Sequence, residues 1–582
     1  MTRRVTGPSP AQNPHLSAAC ASHVSSKLIH LLVATPEQFP RIWGVAAATV
    51  VAGLAMITLY NGSIVMIAPW DVFVLLDGGW RIYLGQVPHQ DFHNPIGALT
   101  YQLIALGMAL KGPSTAAISV GVAAAAIILG LWAWIVSRRR LTGFLALIFT
   151  GYVALTVVGT RPLGYAPEVT TYAMLYNRLG WAMLSVLLLQ LLVPRRGGAT
   201  GTTTAEGLFA GALLGLLFFC KVSYFGVGLG GLALAAMLHP DVRRNLLWHL
   251  VGVALIVTFW WLAFGIHPLN YLSDLQSAAG AQSAGHRMFL LRTAAGESAV
   301  AIYILIVLAL AVVFPWLGAR TAGTSLSPVR AAVVIGFLIV SSVLLTAVNA
   351  RERGDLPLLF VAGLIVLQIA AERVRAAEGP PGGAAAVLLL TSAALILPLV
   401  GGQIAFKDAL SIAMTTKRAS VESTGNRLPQ FEAPGLVDLR LSRATEWPAT
   451  YARGKKIPTR INDGTTLLRK WATPESRIYT LGFTNPFPFA LRSTPPKGAP
   501  LWWDLNFSFS KEASPAPKSV FWDVDLLIVP RFREEEEGCC WETAAWLAEA
   551  YGPYLDQHFP EVDRTDYWIL RRRATAGDHQ NR

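Results

Sequence analysis

The sequence predicts a polytopic α-helical membrane protein of about eleven transmembrane helices, closed by a small C-terminal α/β domain on the extracytoplasmic side. Three observations predict it. The 582-residue chain is 53% hydrophobic and only 14% charged, against about 25% charged residues in ordinary soluble domains. Between roughly residues 42 and 403, apolar blocks of about 16 to 25 residues recur, enough to cross roughly 30 Å of hydrocarbon. From about residue 404 the composition returns to that of a soluble domain.

The net charge of +13 does not indicate a nucleic-acid partner, because of where it falls. Basic residues cluster in short connectors: Arg138-Arg139-Arg140, Arg195-Arg196, Arg243-Arg244, Arg320 with Arg330, and Arg373 with Arg375. Such clusters mark the cytoplasmic side. Residues 1–41 are then a cytoplasmic segment. The first apolar block, about 42–67, is too long for a cleaved signal core and reads as a retained signal-anchor. The four cysteines have no metal-site spacing, and the adjacent Cys539 and Cys540 read as ordinary thiols.

Keeping the basic clusters inside sets the order of elements. Span one (about 43–67) runs outward, and an outer loop at 68–113 follows. Within it, 96–110 is apolar but short and suits a helix lying at the interface; as a full span it would turn the arginine triplet outward. Span two (114–136) returns inward. Further spans fall near 142–159, 179–193, 205–220, 222–238, 246–265, 298–318, 331–349, 356–371 and 384–403. Larger outer loops fall at 160–178 and 266–297, and the odd span count puts 404–582 outside. There "SRIYTLGF" (476–483), "DVDLLIVP" (523–530) and "DYWILRRR" (566–573) read as strands. "WETAAWLAEAYGPYLDQHF" (541–559) reads as a helix interrupted near Gly552-Pro553, and 534–537 as a solvated acidic loop. The aromatic stretch 483–509, with Trp502 and Trp503, suits packing onto the membrane domain or the headgroup belt better than a sugar platform.

Candidate chemistry concentrates in the outer loops. "WDVFVLLDGGWRIYLGQVPHQDFHNPIGALTY" (70–101) carries Asp71, Asp77, Arg81, His89, Asp91 and His93. On a helix, six residues is about 600°, so Asp71 and Asp77 diverge by about 120° and need not share a site. A carboxylate at a lipid–water boundary can act as general base toward a substrate hydroxyl, and the forked guanidinium of Arg81 suits phosphate. The second loop adds Arg161, Glu168, Tyr172, Tyr176, Asn177 and Arg178. Lys221 stands inside apolar sequence, where a charge faces the bundle interior or a helix end. The third loop carries His267, Asp274, His286 and Arg287. A short turn holds Arg351, Glu352, Arg353 and Asp355, whose spacing favours local ion pairing, with Arg351 a candidate for phosphate.

The run Gly85-x-x-Pro88-x-x-Asp91-Phe92-x-x-Pro95-x-Gly97, preceded by an acidic residue just after the first span, resembles the first outer loop of the GT-C class of membrane glycosyltransferases. The likeness is to the PMT and ArnT-like branches, similar to glycosyltransferase family 39. The resemblance implies a GT-C-like membrane domain over 42–403, an inverting hexosyl- or pentosyltransferase, and a polyprenyl-phosphate-linked sugar donor. It also implies a first-loop aspartate as catalytic base. By position Asp71 matches that aspartate, though Val72 stands where many relatives carry a second acid, which keeps Asp77 a rival. "GALLGLLFFCK" resembles the Gly-rich, lysine-ended helix of such proteins, placing Lys221 near the donor phosphate; Arg178, with Tyr176 and Asn177 beside it, is a further candidate for substrate binding. No cofactor is assigned, a divalent cation on the first-loop acids is left open, and no metal ligand set is assigned.

The expected activity is therefore transfer of a sugar to an acceptor hydroxyl on a glycan, lipid or protein at the outer face of the membrane. It would serve envelope glycan or glycolipid assembly or protein glycosylation, with the bacterial inner membrane as the expected location. The alternatives are a transporter or flippase for lipid-linked glycans and a non-catalytic scaffold of a polysaccharide assembly complex. The first should carry ionisable groups at mid-membrane and inverted repeats; the second, a degenerate first loop.

Overall fold

In a computed structural model, the structure describes residues 34–62, 64–66, 69–196, 203–282, 288, 290–297, 326–349, 355–376, 403–421, 430–442, 456–531 and 541–574. The spans expected at 298–318 and 384–403, His286, Arg287, Arg351, Glu352, Arg353, the 534–537 acidic run, Cys539 and Cys540 lie outside these residues, apart from the first residue of the helix at 403.

Apolar helices dominate, because each satisfies its own backbone polar groups, as hydrocarbon requires. Five are long and apolar enough to cross a membrane: Pro40–Asn61 (α1), Ala117–Ser137, Leu175–Leu192, Leu246–Phe264 and Val329–Asn349. Four shorter apolar helices accompany them, at Gly143–Val158, Thr204–Cys220, Val222–Leu238 and Leu358–Glu372. These match the remaining predicted spans. Their outward faces are greasy: Leu247, Leu250, Leu255, Phe259 and Leu262 are all exposed on one helix, which suits lipid rather than water. Leu246–Phe264 packs closest on Thr204–Cys220. A Cβ on Gly211 would fall 2.0 Å from the His249 carbonyl oxygen, so small residues let the two backbones nearly touch.

The first loop is more structured than the sequence suggests. Span one ends at Asn61, and a short strand, Ile64–Met66 (β1), follows. Beyond Pro69 a separate helix, Trp70–Tyr83 (α2), begins. Asp71 therefore stands in the first turn of a new helix rather than after the last turn of span one, where it also favours the positive end of the helix dipole. Leu99–Lys111 (α3) is the short helix predicted at 96–110; it packs between α2 and Ala117–Ser137.

The C-terminal region holds a four-stranded sheet in the order β3-β4-β6-β5. Its members are Ile478–Thr480 (β3), Leu526–Pro530 (β4), Glu561–Arg564 (β5) and Trp568–Arg572 (β6). β3 and β4 run parallel, and β6 is antiparallel to both β4 and β5. Tyr479, Trp503, Phe521, Tyr551 and Phe559 fill its core. Trp541–His558 is one continuous helix with Pro553 inside it, so the predicted interruption does not occur. Proline forfeits one hydrogen bond there, and burial of Leu547, Tyr551 and Leu555 in the core offsets that loss.

Two features join this region to the bundle. Gln403–Val421 is a helix lying against α1 and Gly143–Val158. Arg440–Ser442 (β2) pairs in parallel with β1.

Candidate active site

The first loop is clamped from two sides. Toward the C-terminal region, Trp80 Nε1 donates to the Ser493 carbonyl at 2.9 Å, and Arg81 donates to the Pro496 carbonyl at 2.6 Å. The Gly498 N–H donates to the Asp91 carbonyl at 2.7 Å, and that of Leu501 to His93 at 2.9 Å. Asp91 itself accepts from the Val87 N–H and lies 3.2 Å from Lys497 Nζ. Toward the helix Pro268–Ala281, the Asp274 carboxylate gathers His89 Nδ1 and His93 Nδ1, each at 2.8 Å, and the Asn94 N–H at 3.0 Å. His89 is held with φ +64°, a conformation that a non-glycine residue keeps only when its surroundings fix it.

These clamps account for several predicted residues. Asp77 and Arg81 form a wholly buried pair at 3.1 Å, beneath the 493–497 loop. Burial pushes the Asp77 carboxyl up to about 6, with Arg81 pulling it back. Asp77 thus faces a guanidinium inside the protein. The hydrogen bond to Asp274 holds His93 above its ordinary pKa. Burial works against the Asp274 charge, but the two imidazoles prevail and hold its carboxyl below the usual range.

A second cluster forms where the loop 160–174 meets Gln403–Val421. Arg178 grips both oxygens of Asp408, at 2.9 and 3.0 Å, and donates to the carbonyls of Arg161 and Thr156. Arg161 pairs with Asp355 at 2.7 Å, and its Nε lies 2.7 Å from Asp408 as a charge contact rather than an aligned hydrogen bond. Lys407 reaches Asp355 at 3.2 Å. Burial opposes the charge of Asp355, but Arg161, the Gly164 N–H and Lys407 keep it below the ordinary carboxylate range. Arg178 is so tightly enclosed that a Cβ on Gly159 would sit 2.1 Å from its Nη1. Its charge is thereby matched within the protein. Asn177, beside it, donates to the Asn349 carbonyl at 2.6 Å. Tyr172 reaches the Gly62 carbonyl and the Glu168 carbonyl accepts from Arg418, so both tie the loop down.

The third grouping differs. Asp71 is half-buried. It lies within electrostatic reach of the Tyr101 hydroxyl on α3: burial pushes that hydroxyl well up, and Tyr176, Asp71 and Tyr271 add to the shift. Tyr176 in turn carries the Lys221 ammonium 5.0 Å from its ring centroid, and its carbonyl accepts from the Cys220 thiol at 3.2 Å. Lys221 sits in the break between Thr204–Cys220 and Val222–Leu238, with φ −167°. Among the described residues it has no acidic partner within salt-bridge distance. A Cβ on Gly97 would fall 2.1 Å from the Phe219 carbonyl oxygen. That glycine lets the end of the first loop press against the helix that presents Lys221.

The chain is similar to ArnT. A crystal structure of ArnT from Cupriavidus metallidurans bound to undecaprenyl phosphate shares 13% identity, covering 92% of this chain and 98% of that one, with a TM-score of 0.44. The apo state of that protein gives 14% identity, coverage of 91% and 97%, and a TM-score of 0.37. The Archaeoglobus fulgidus oligosaccharyltransferase in complex with Zn and sulfate gives 12%, coverage of 88% and 71%, and 0.35. No family model and no curated protein matches the chain.

Of the predicted residues, Tyr176 and Lys221 meet directly, and Asp71 and Tyr176 both act electrostatically on Tyr101. His89, His93 and Asp91 share the clamped loop, whereas Asn177 and Arg178 turn into the second cluster. Tyr101 and Asp408 were not singled out from the sequence. Asp408 had a faint signal, one acid on the buried side of an otherwise ordinary helix; Tyr101 had none, being one aromatic in an apolar run. No group of three or more potential metal ligands occurs among the described residues.

Proposed function

We propose that this protein is a membrane glycosyltransferase that moves a sugar from a polyprenyl-phosphate donor to an acceptor hydroxyl at the outer face of the membrane. One observation carries the reading: the half-buried carboxylate of Asp71 and the ring of Tyr176 both act electrostatically on Tyr101, and that ring carries Lys221, a cation with no acidic partner among the described residues. Each supports one task. Lys221 supplies the positive charge that a lipid-linked phosphate needs, while the apolar helix faces give its tail a lipid path. Asp71 accepts the proton of the acceptor hydroxyl as that oxygen attacks the anomeric carbon, and the phosphate departs on the opposite face with inversion. Tyr176, stacked under the ammonium, orients it. Asp77, neutralised by Arg81 inside the protein, serves the loop rather than the reaction, and Arg178 serves the second cluster. The two clamps hold residues 80–94 and so fix the far end of the helix that carries Asp71.

The test compares wild type with Asp71→Asn in a deletion strain and in purified membranes supplied with labelled polyprenyl-phosphate sugars. The expected outcome is a fall in transfer of about 10²- to 10⁴-fold at equal membrane insertion. Full transfer by correctly inserted Asp71→Asn protein sinks the proposal.

A further inference from the structure

Beside the C-terminal sheet lies a shallow, partly open groove that the reading above does not use. Trp70, Phe483 and Trp568 give it aromatic walls, and Thr480, Thr484 and Arg460 give it polar positions. Its place in the fold is informative. Thr480 ends β3 and Pro530 ends β4, the two parallel strands, so the groove opens at their carboxyl ends. In open α/β sheets that edge is where ligands bind, since the chain leaves each strand there as a loop. The opposite wall is Trp70, whose sequence neighbour is Asp71.

A polar group with capacity to spare stands next to the lining residues in the chain. Asn485, between Thr484 and Pro486, accepts from both the N–H and the hydroxyl of Thr480 through Oδ1, at 3.0 and 2.9 Å. Its Nδ2 is buried with no partner among the described residues. A buried amide donor without an acceptor carries an unmet desolvation cost. Flat aromatic faces beside a few fixed polar groups suit a molecule with apolar C–H faces and hydroxyl edges, as a pyranose or furanose ring has.

We infer that this groove is a carbohydrate subsite, which holds a sugar ring of the acceptor beside Trp70 while the acceptor hydroxyl reaches Asp71. The inference rests on the transferase reading for its role, but sugar binding can be measured without transfer.

Gly482 offers a clean perturbation. A Cβ there would lie 3.8 Å from both Pro530 and Thr480, ordinary contact, with open groove beyond. Gly482→Leu therefore fills the groove without displacing backbone. The experiment is saturation-transfer difference NMR on the full chain in nanodiscs. The probes are methyl glycosides of glucose, galactose, mannose, arabinose and N-acetylglucosamine. At least one glycoside should show saturated ring C–H protons. Gly482→Leu should cut that signal about fivefold or more, and Phe483→Ala should weaken it. If no glycoside is saturated, or Gly482→Leu keeps the full signal, the subsite is overturned, whatever Asp71→Asn does to transfer. Glycoside binding that persists where Asp71→Asn keeps full transfer would preserve the subsite and sink only the catalytic assignment.

Discussion

Asp408 anchors two buried guanidinium groups, and its removal gives the sharpest energetic test of how the loop 160–174 is held. Asp408 is 1% exposed at its side chain, Arg161 0% and Arg178 2%. In Asp408→Leu, Arg178 loses its only carboxylate contacts among the described residues and keeps two backbone carbonyls, while Arg161 keeps Asp355. An uncompensated buried charge of this kind costs about 3 to 5 kcal/mol. Removing its partner as well takes the stranded charge away, so Arg178→Met/Asp408→Leu should be less damaging than Asp408→Leu, within about 2 kcal/mol of wild type. Lys407→Ala is the control: its side chain is 29% exposed, and the loss should stay near or below about 1 kcal/mol. The assay is thermal unfolding of purified protein in nanodiscs, following the monodisperse fraction by size exclusion. If Asp408→Leu melts with wild type, or the double variant loses the sum of the two single losses, the cluster is not the buried charge balance described.

Two further outcomes follow from the loop clamps. Gly97→Ala places a methyl group 2.1 Å from the Phe219 carbonyl oxygen, backbone that cannot yield cheaply. Overpacking of this kind costs about 3 kcal/mol, read as a lower melting temperature and reduced yield of folded protein; wild-type stability would refute the close approach. The Asp274 clamp should depend on pH in a defined window. His93 is raised above its ordinary 6.5, so its contribution is complete below that value and fades as pH climbs through the folded pKa. Asp274 is lowered from 3.8, so its contribution is complete above that value and fades as pH falls through the folded pKa. The clamp is then fullest between about pH 4 and 6.5. Amide exchange at residues 89–94, corrected for intrinsic rate, should quicken above neutrality in wild type and be fast throughout in Asp274→Asn. A pH-independent difference between the two proteins would contradict it.

The sequence by itself determined the membrane character, the apolar helices and the soluble C-terminal sheet, because hydrocarbon thickness and backbone self-satisfaction act locally along the chain. "DVDLLIVP" reads as a buried strand from its own composition, and "IGALTYQLIALGMAL" is short for a span and would turn the arginine triplet outward if it were one. The separation of Asp71 from Asp77 was legible for the same reason, since a helix turns 100° per residue. What the carboxylates face was not legible. Asp77 meets Arg81 one turn away, yet its burial depends on the 493–497 loop more than four hundred residues further on. Asp274 meets His89 and His93 across about 180 residues, and Arg178 finds its counter-ion in Asp408, on a helix that composition alone assigns to the soluble region. Only the tertiary structure decided these, because pairing free energy comes from desolvation and distance in space, and local sequence carries neither.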